Sequence, residues 1–179
     1  MLYAFGFERV GVVASDLYFV DPSPTPGQEG AERGVRLEVR LLERPALQGS
    51  IYAAQAIVVD RPVWRADLLE SVAGPPGSFD RTHHHPRFDG WDPGPRQFDE
   101  AMSASPVDWV GERLADLPSL LEGTGVDASA VGGADAQALR QAVPEILDVV
   151  RRLLRRVQAG ELAAPPGTGQ LASARAGWL

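Results

Sequence analysis

The chain has 179 residues, 44% of them apolar, enough for one domain with a substantial core. Its 24 acidic and 17 basic residues leave a net charge of −7, which argues against nucleic acid and against general attraction to anionic membranes. Cysteine and lysine are both absent. That excludes disulfides, thiolate catalysis, cysteine-ligated zinc, iron–sulfur clusters, lysine Schiff bases and Walker-type phosphate loops, and makes every side-chain cation a planar guanidinium.

The first residues lack the basic start and apolar run of a signal peptide, and no apolar stretch approaches membrane-spanning length, so the expectation is a soluble cytoplasmic protein. Residues 2–20 are rich in aromatic and β-branched types, which predicts strands over Leu2–Val13 and Leu17–Val20 with a break near Ala14-Ser15-Asp16. Asp21 to Gly34 is a Pro- and Gly-rich loop. From Val35 to Leu42 apolar and charged residues alternate, with Arg36, Glu38 and Arg40 on one face, the period of a half-buried strand. That charged face reads as a cross-strand ion-pair surface able to line a pocket. A second strand is expected over Ser50–Val59, joined to the first by a hairpin loop at Leu47-Gln48-Gly49.

Asp60 and Pro62 suit a helix start, and Trp64, Leu68 and Val72 recur every four residues, which predicts a short helix over 61–72. On that helix Asp67 and Glu70 form its wet side, near Arg65. Residues 73–104 show no period but carry Phe79, Phe88, Trp91 and Phe98, so a long ordered loop pinned by its rings is expected. Ser105-Pro106-Val107-Asp108 opens the next helix, which Pro118 kinks or ends. A last helix runs from Asp135 past Pro144 to a stop at Gly160, with Arg151, Arg152, Arg155 and Arg156 largely opposite its apolar face, where ion pairs to Glu145, Asp148 or Glu161 are expected. The breadth of that apolar face suggests a homodimer. Together these elements predict an α+β domain over 1–163, an antiparallel sheet in the N-terminal half with helices packed on one face, and a flexible tail over 164–179.

All three histidines stand together in Asp80-Arg81-Thr82-His83-His84-His85-Pro86-Arg87-Phe88-Asp89-Gly90-Trp91-Asp92. In extended backbone His83 and His85 point one way and His84 the other, so the outer pair can share one divalent transition metal ion. Asp80, Asp89 or Asp92 could complete the shell, as could Glu38 from its strand. The His-x-His is similar to one fragment of the cupin metal motif, but the glycine ahead of it and the downstream histidine are absent, so no cupin function is carried over. A metal-free use of the same segment pairs a histidine with Asp80 or Asp89 and holds a phosphate ester with Arg81 and Arg87. Two functions fit. The first is a small binding or interaction domain whose rigid loop presents His84, Arg81, Arg87, Phe88, Trp91 and Asp92 to a protein or small-molecule ligand. The alternative is a metal-dependent hydrolase with His83 and His85 as ligands and Asp80 and Asp89 beside them.

Overall fold

The computed structural model describes residues 1–127 and 131–165. Five antiparallel strands form one sheet in the order β1-β2-β3-β4-β5: Leu2–Gly6, Val10–Val20, Ala31–Glu43, Val58–Ser71 and His83–His85. A two-stranded ribbon follows, β6 Phe88–Asp89 and β7 Asp92–Pro93. Four helices complete the chain: α1 Glu100–Ala104, α2 Pro106–Ala115, α3 Leu117–Glu122 and α4 Gly133–Gln158. The expected α+β class, with its sheet in the N-terminal half, is what the chain adopts.

The alternation of side chains along a strand gives the sheet two unlike faces. One carries Val10, Val12 and Ala14 from β2, Val35, Leu37 and Val39 from β3, and Trp64, Ala66 and Leu68 from β4, all buried. These pack with Val110, Leu114, Ile146, Val150 and Leu153 of α2 and α4 in one apolar core. The stack of Trp64 on Trp109, with ring centroids 6.2 Å apart, ties β4 to α2. The broad apolar stripe of α4 is therefore buried within the chain, against the sheet and α2, which removes the motive for the homodimer expected from its breadth. Its outer arginines meet Asp148 (Arg151, 3.3 Å) and Glu161 (Arg156, 2.8 Å).

Several local expectations need correction, the first being the loop over Asp21–Gly34, whose last residues, from Ala31, belong to β3. The first hairpin turns at Phe7–Arg9, not at Ala14-Ser15-Asp16, and β2 runs unbroken through the latter. Asp135, in the first turn of α4, explains the position of the turn: its Oδ1 accepts from the backbone N–H of Glu8 and of Arg9, each at 3.0 Å. Of Ser50–Val59 only Val58 and Val59 are strand; the rest lies in the connector between β3 and β4, where Ile51 and Tyr52 are exposed.

Residues 61–72 are not a helix but most of β4. A spacing of four residues is a multiple of both two and, nearly, of a helical turn, so Trp64 and Leu68 fit either element. The deciding fact is non-local: Leu37 lies opposite Ala66 and Val35 opposite Leu68, which gives those side chains a buried face that an isolated short helix could not supply. Finally, 73–104 is ordered but not irregular throughout, since it holds β5, β6, β7 and α1. Further on, the helix opened at Pro106 ends at Ala115, Pro118 lies in the first turn of α3 rather than ending α2, and Ser105 bonds the Asp108 carboxylate (2.8 Å) rather than a helix N–H. The tail expected from 164 lies outside the described residues from 166 onward.

Candidate metal centre

On the sheet face turned away from the helices, neighbouring strands place charged residues side by side. One row across β3, β4 and β5 reads Arg36, Asp67, His83; the next reads Glu38, Arg65, His85. Opposite charges therefore alternate both along and across the strands, and each finds a partner. Arg36 grips Asp67 with two bonds, Nε to Oδ1 at 2.7 Å and Nη2 to Oδ2 at 3.0 Å. Glu38 accepts from Arg65 Nε at 3.0 Å and from Arg40 Nε at 2.8 Å.

Within this array Asp67, His83 and His85 form a group of their own. Their ligand atoms lie within 4.8 Å of one another and all three residues are buried. Asp67 Oδ2 is 3.4 Å from His83 Nε2 and 3.8 Å from His85 Nε2. A cation bonded at about 2.0–2.1 Å to tetrahedral N and O ligands needs them roughly 3.3 Å apart, so the first distance fits and the second, at 3.8 Å, is slightly wide.

Both rings are held from behind. Nδ1 of His83 lies 2.8 Å from the carbonyl oxygen of Arg81, and Nδ1 of His85 lies 2.6 Å from that of Gly94. A carbonyl only accepts, so each Nδ1 carries a proton and Nε2 is the atom turned toward the carboxylate. Histidines that ligate metals are oriented in this way.

The electrostatics point the same way. Burial is the largest influence on His85 and pushes its pKa down to about 4, against the opposing pull of the Gly94 carbonyl and Asp67, so the ring is neutral at pH 7. Its Nε2 lone pair then faces a carboxylate oxygen with no proton between them. Burial pushes Asp67 up, but the His83 hydrogen bond and the Arg36 guanidinium outweigh it and hold the carboxyl well below its usual range. The group opens into a cleft of about 280 Å³ that Arg36, Arg65 and Arg96 also line.

The remaining residues singled out from the sequence are dispersed. His84 points to the helix face, its ring 5.0 Å from Trp109, as the alternation requires. Asp80 accepts from the backbone of Ser71 and from the Ser78 hydroxyl, both at 2.8 Å, and is not in the imidazole group. Nor is Asp89, which is exposed on β6. Glu38 is taken up by its two arginines. Arg81 supplies its carbonyl to His83 and Arg87 its carbonyl to the N–H of Gly94 (2.9 Å). Phe88 is buried beneath the Arg65 guanidinium, 5.0 Å from its ring centroid. Trp91 and Asp92 are exposed and line a second, adjoining cleft.

Asp67 was not legible as a partner, because reading 61–72 as a helix puts it on a solvated face. The signal that finds it is the strict alternation of Trp64, Ala66 and Leu68 with Arg65 and Asp67, matching that of Val35, Leu37 and Val39 with Arg36 and Glu38. No family model, curated protein or solved structure matches this chain. Among the described residues no helix is long and apolar enough to cross a membrane.

Proposed function

We propose that the protein is a divalent-metal-dependent enzyme, a hydrolase, whose ion is held by His83 Nε2, His85 Nε2 and Asp67 Oδ2. The observation that carries this reading is the convergence of ligand atoms from three buried residues inside 4.8 Å while both Nδ1 atoms are anchored on backbone carbonyls. Without cysteine the donor set is nitrogen and oxygen, suited to zinc, iron, manganese, nickel or copper.

A divalent ion held by His83, His85 and Asp67 would supply Lewis acidity and activate water, the chemistry of hydrolysis. The protein's part is positional. Arg36 fixes the rotamer of Asp67, the Arg81 and Gly94 carbonyls fix the rings, and Arg65 presents positive charge to a group that becomes negative during reaction.

A recognition loop presenting His84, Arg81, Arg87, Phe88, Trp91 and Asp92 is less well supported, because His84 turns to the helix face against Trp109 and Phe88 is covered. Elemental analysis of untagged protein tests the proposal. Near one equivalent of a transition metal is expected in the parent, with none in a folded His83→Ala/His85→Ala variant. A parent that takes up no metal, even when it is added, overturns it.

A further inference from the structure

The metal cleft is not isolated. Arg36 and Arg65 line both it and a larger cleft of about 690 Å³ on the same sheet face. The two clefts therefore adjoin at these two guanidiniums and are together called the groove, with the pair at its waist. Its ends differ in chemistry. The small end holds Asp67, His83 and His85. The apolar part of the large end is Leu2, Val13, Val59 and Trp91, interrupted by Glu38, Arg40 and Asp92. Leu2, Val59 and Trp91 are 65%, 45% and 64% exposed, so this lining stands open to a ligand.

Charge defines the other half of the ligand. On this face Arg36, Arg40, Arg65 and Arg96 are each paired with a carboxylate, from Asp67, Glu38, Glu32 or Asp21. These pairs nearly balance, so an added divalent ion leaves an excess of positive charge that an anion would neutralise. Hydrogen-bonding capacity is also present at the waist. Arg36 uses Nε and Nη2 on Asp67, and Arg65 uses Nε and Nη2 on Glu38, so the Nη1 group of each takes no part in these bonds. The N–H groups on these Nη1 atoms can bond a carboxylate, and the apolar residues of the adjoining cleft favour an organic carboxylate over inorganic phosphate.

We infer that the groove takes an organic carboxylate with an apolar body, as substrate or product of the metal reaction. The carboxylate lies at the waist between the ion and the Nη1 groups of Arg36 and Arg65. The apolar body lies along Val13, Val59 and Trp91. This inference rests on the metal reading above and adds the ligand's class to it.

Titration calorimetry on zinc-loaded full-length protein tests it, with octanoate, acetate and inorganic phosphate as probes. Octanoate should bind at least tenfold more tightly than acetate or phosphate, and should not bind the metal-free protein. Arg65→Gln should weaken octanoate by about tenfold. Glu38 keeps Arg40 in that variant, and circular dichroism checks its fold. Trp91→Ala should weaken octanoate several-fold and leave acetate unchanged. Equal affinity for octanoate and acetate, unchanged binding in Arg65→Gln, or no binding by protein that has taken up zinc would overturn the inference while the metal site stands. Failure to take up zinc or any other transition metal would instead remove the metal reading, and this inference with it.

Discussion

Asp67 and His83 are register partners on adjacent antiparallel strands, and their side chains meet on the sheet face turned away from the helices with Oδ2 3.4 Å from Nε2. Because side chains two residues apart share a face, His85 comes to the same carboxylate, at 3.8 Å, while His84 turns to the core. One strand pairing thus builds the whole group, and its disruption should be felt in both stability and metal affinity.

Metal binding should stabilise the folded chain. At a free ion concentration a hundredfold above Kd the gain is about 2.7 kcal/mol, and for a chain of this size that raises Tm by roughly 5–10 °C. Differential scanning calorimetry with and without zinc should show this rise, and a chelator should reverse it. In His83→Ala/His85→Ala the two curves should coincide.

Asp67→Ala should cost about 2–3 kcal/mol in the metal-free protein, because it leaves the half-buried guanidinium of Arg36 without its bidentate partner. Urea denaturation measures this. Adding Arg36→Met to the same chain should recover part of the loss, since the unpaired charge is then gone. A double variant no more stable than Asp67→Ala would mean that the pair is not coupled.

Acid should weaken the metal-free protein well above the range in which carboxylates titrate. His85 has a folded pKa of about 4 against an ordinary value of 6.5. Between these values the unfolded chain binds a proton that the folded chain does not, so stability falls as pH drops from about 6.5 to about 4, and then levels off for this group. Its share is about 3 kcal/mol in full. His84, lowered first by burial, adds in the same direction. Asp67, held low in the folded state, contributes stability that is lost only at lower pH, below its ordinary value of 3.8. Chemical denaturation across pH 7 to 4 should show the slope, and His85→Asn should flatten it in part.

Gly34→Ala should be severely destabilising, by about 3 kcal/mol or more. A Cβ at Gly34 would lie 2.0 Å from the backbone oxygen of Leu68, and a backbone atom of a paired strand cannot swing aside. Gly34 lies opposite Leu69, two residues from both Arg36 and Asp67 along their strands, so the displacement should carry into that ion pair. Thermal melting gives the first effect. Zinc titration of the surviving folded fraction gives the second, expected as weaker binding than in the parent.

The local patterns that needed only their own residues were legible in the sequence. The alternation of Val35 to Leu42 gives β3 and its charged face, the apolar stripe after Asp135 gives α4, and His83-x-His85 puts two imidazoles on one side of an extended backbone. Composition excluded cysteine and lysine chemistry outright. What the sequence left open were the pairings. Trp64 and Leu68 satisfy a helical and a strand period alike, and only the presence of β3 alongside makes β4 the lower free-energy choice, by burying Trp64, Ala66 and Leu68 against the helices. That same pairing decides the ligand set. Asp67 becomes the carboxylate facing the histidines because it lies opposite His83 in register, while Asp80 and Asp89, nearer in sequence, project elsewhere. A metal-ligand set assembled across strands is a property of register, and register is set by long-range hydrogen bonding and burial that no local spacing encodes.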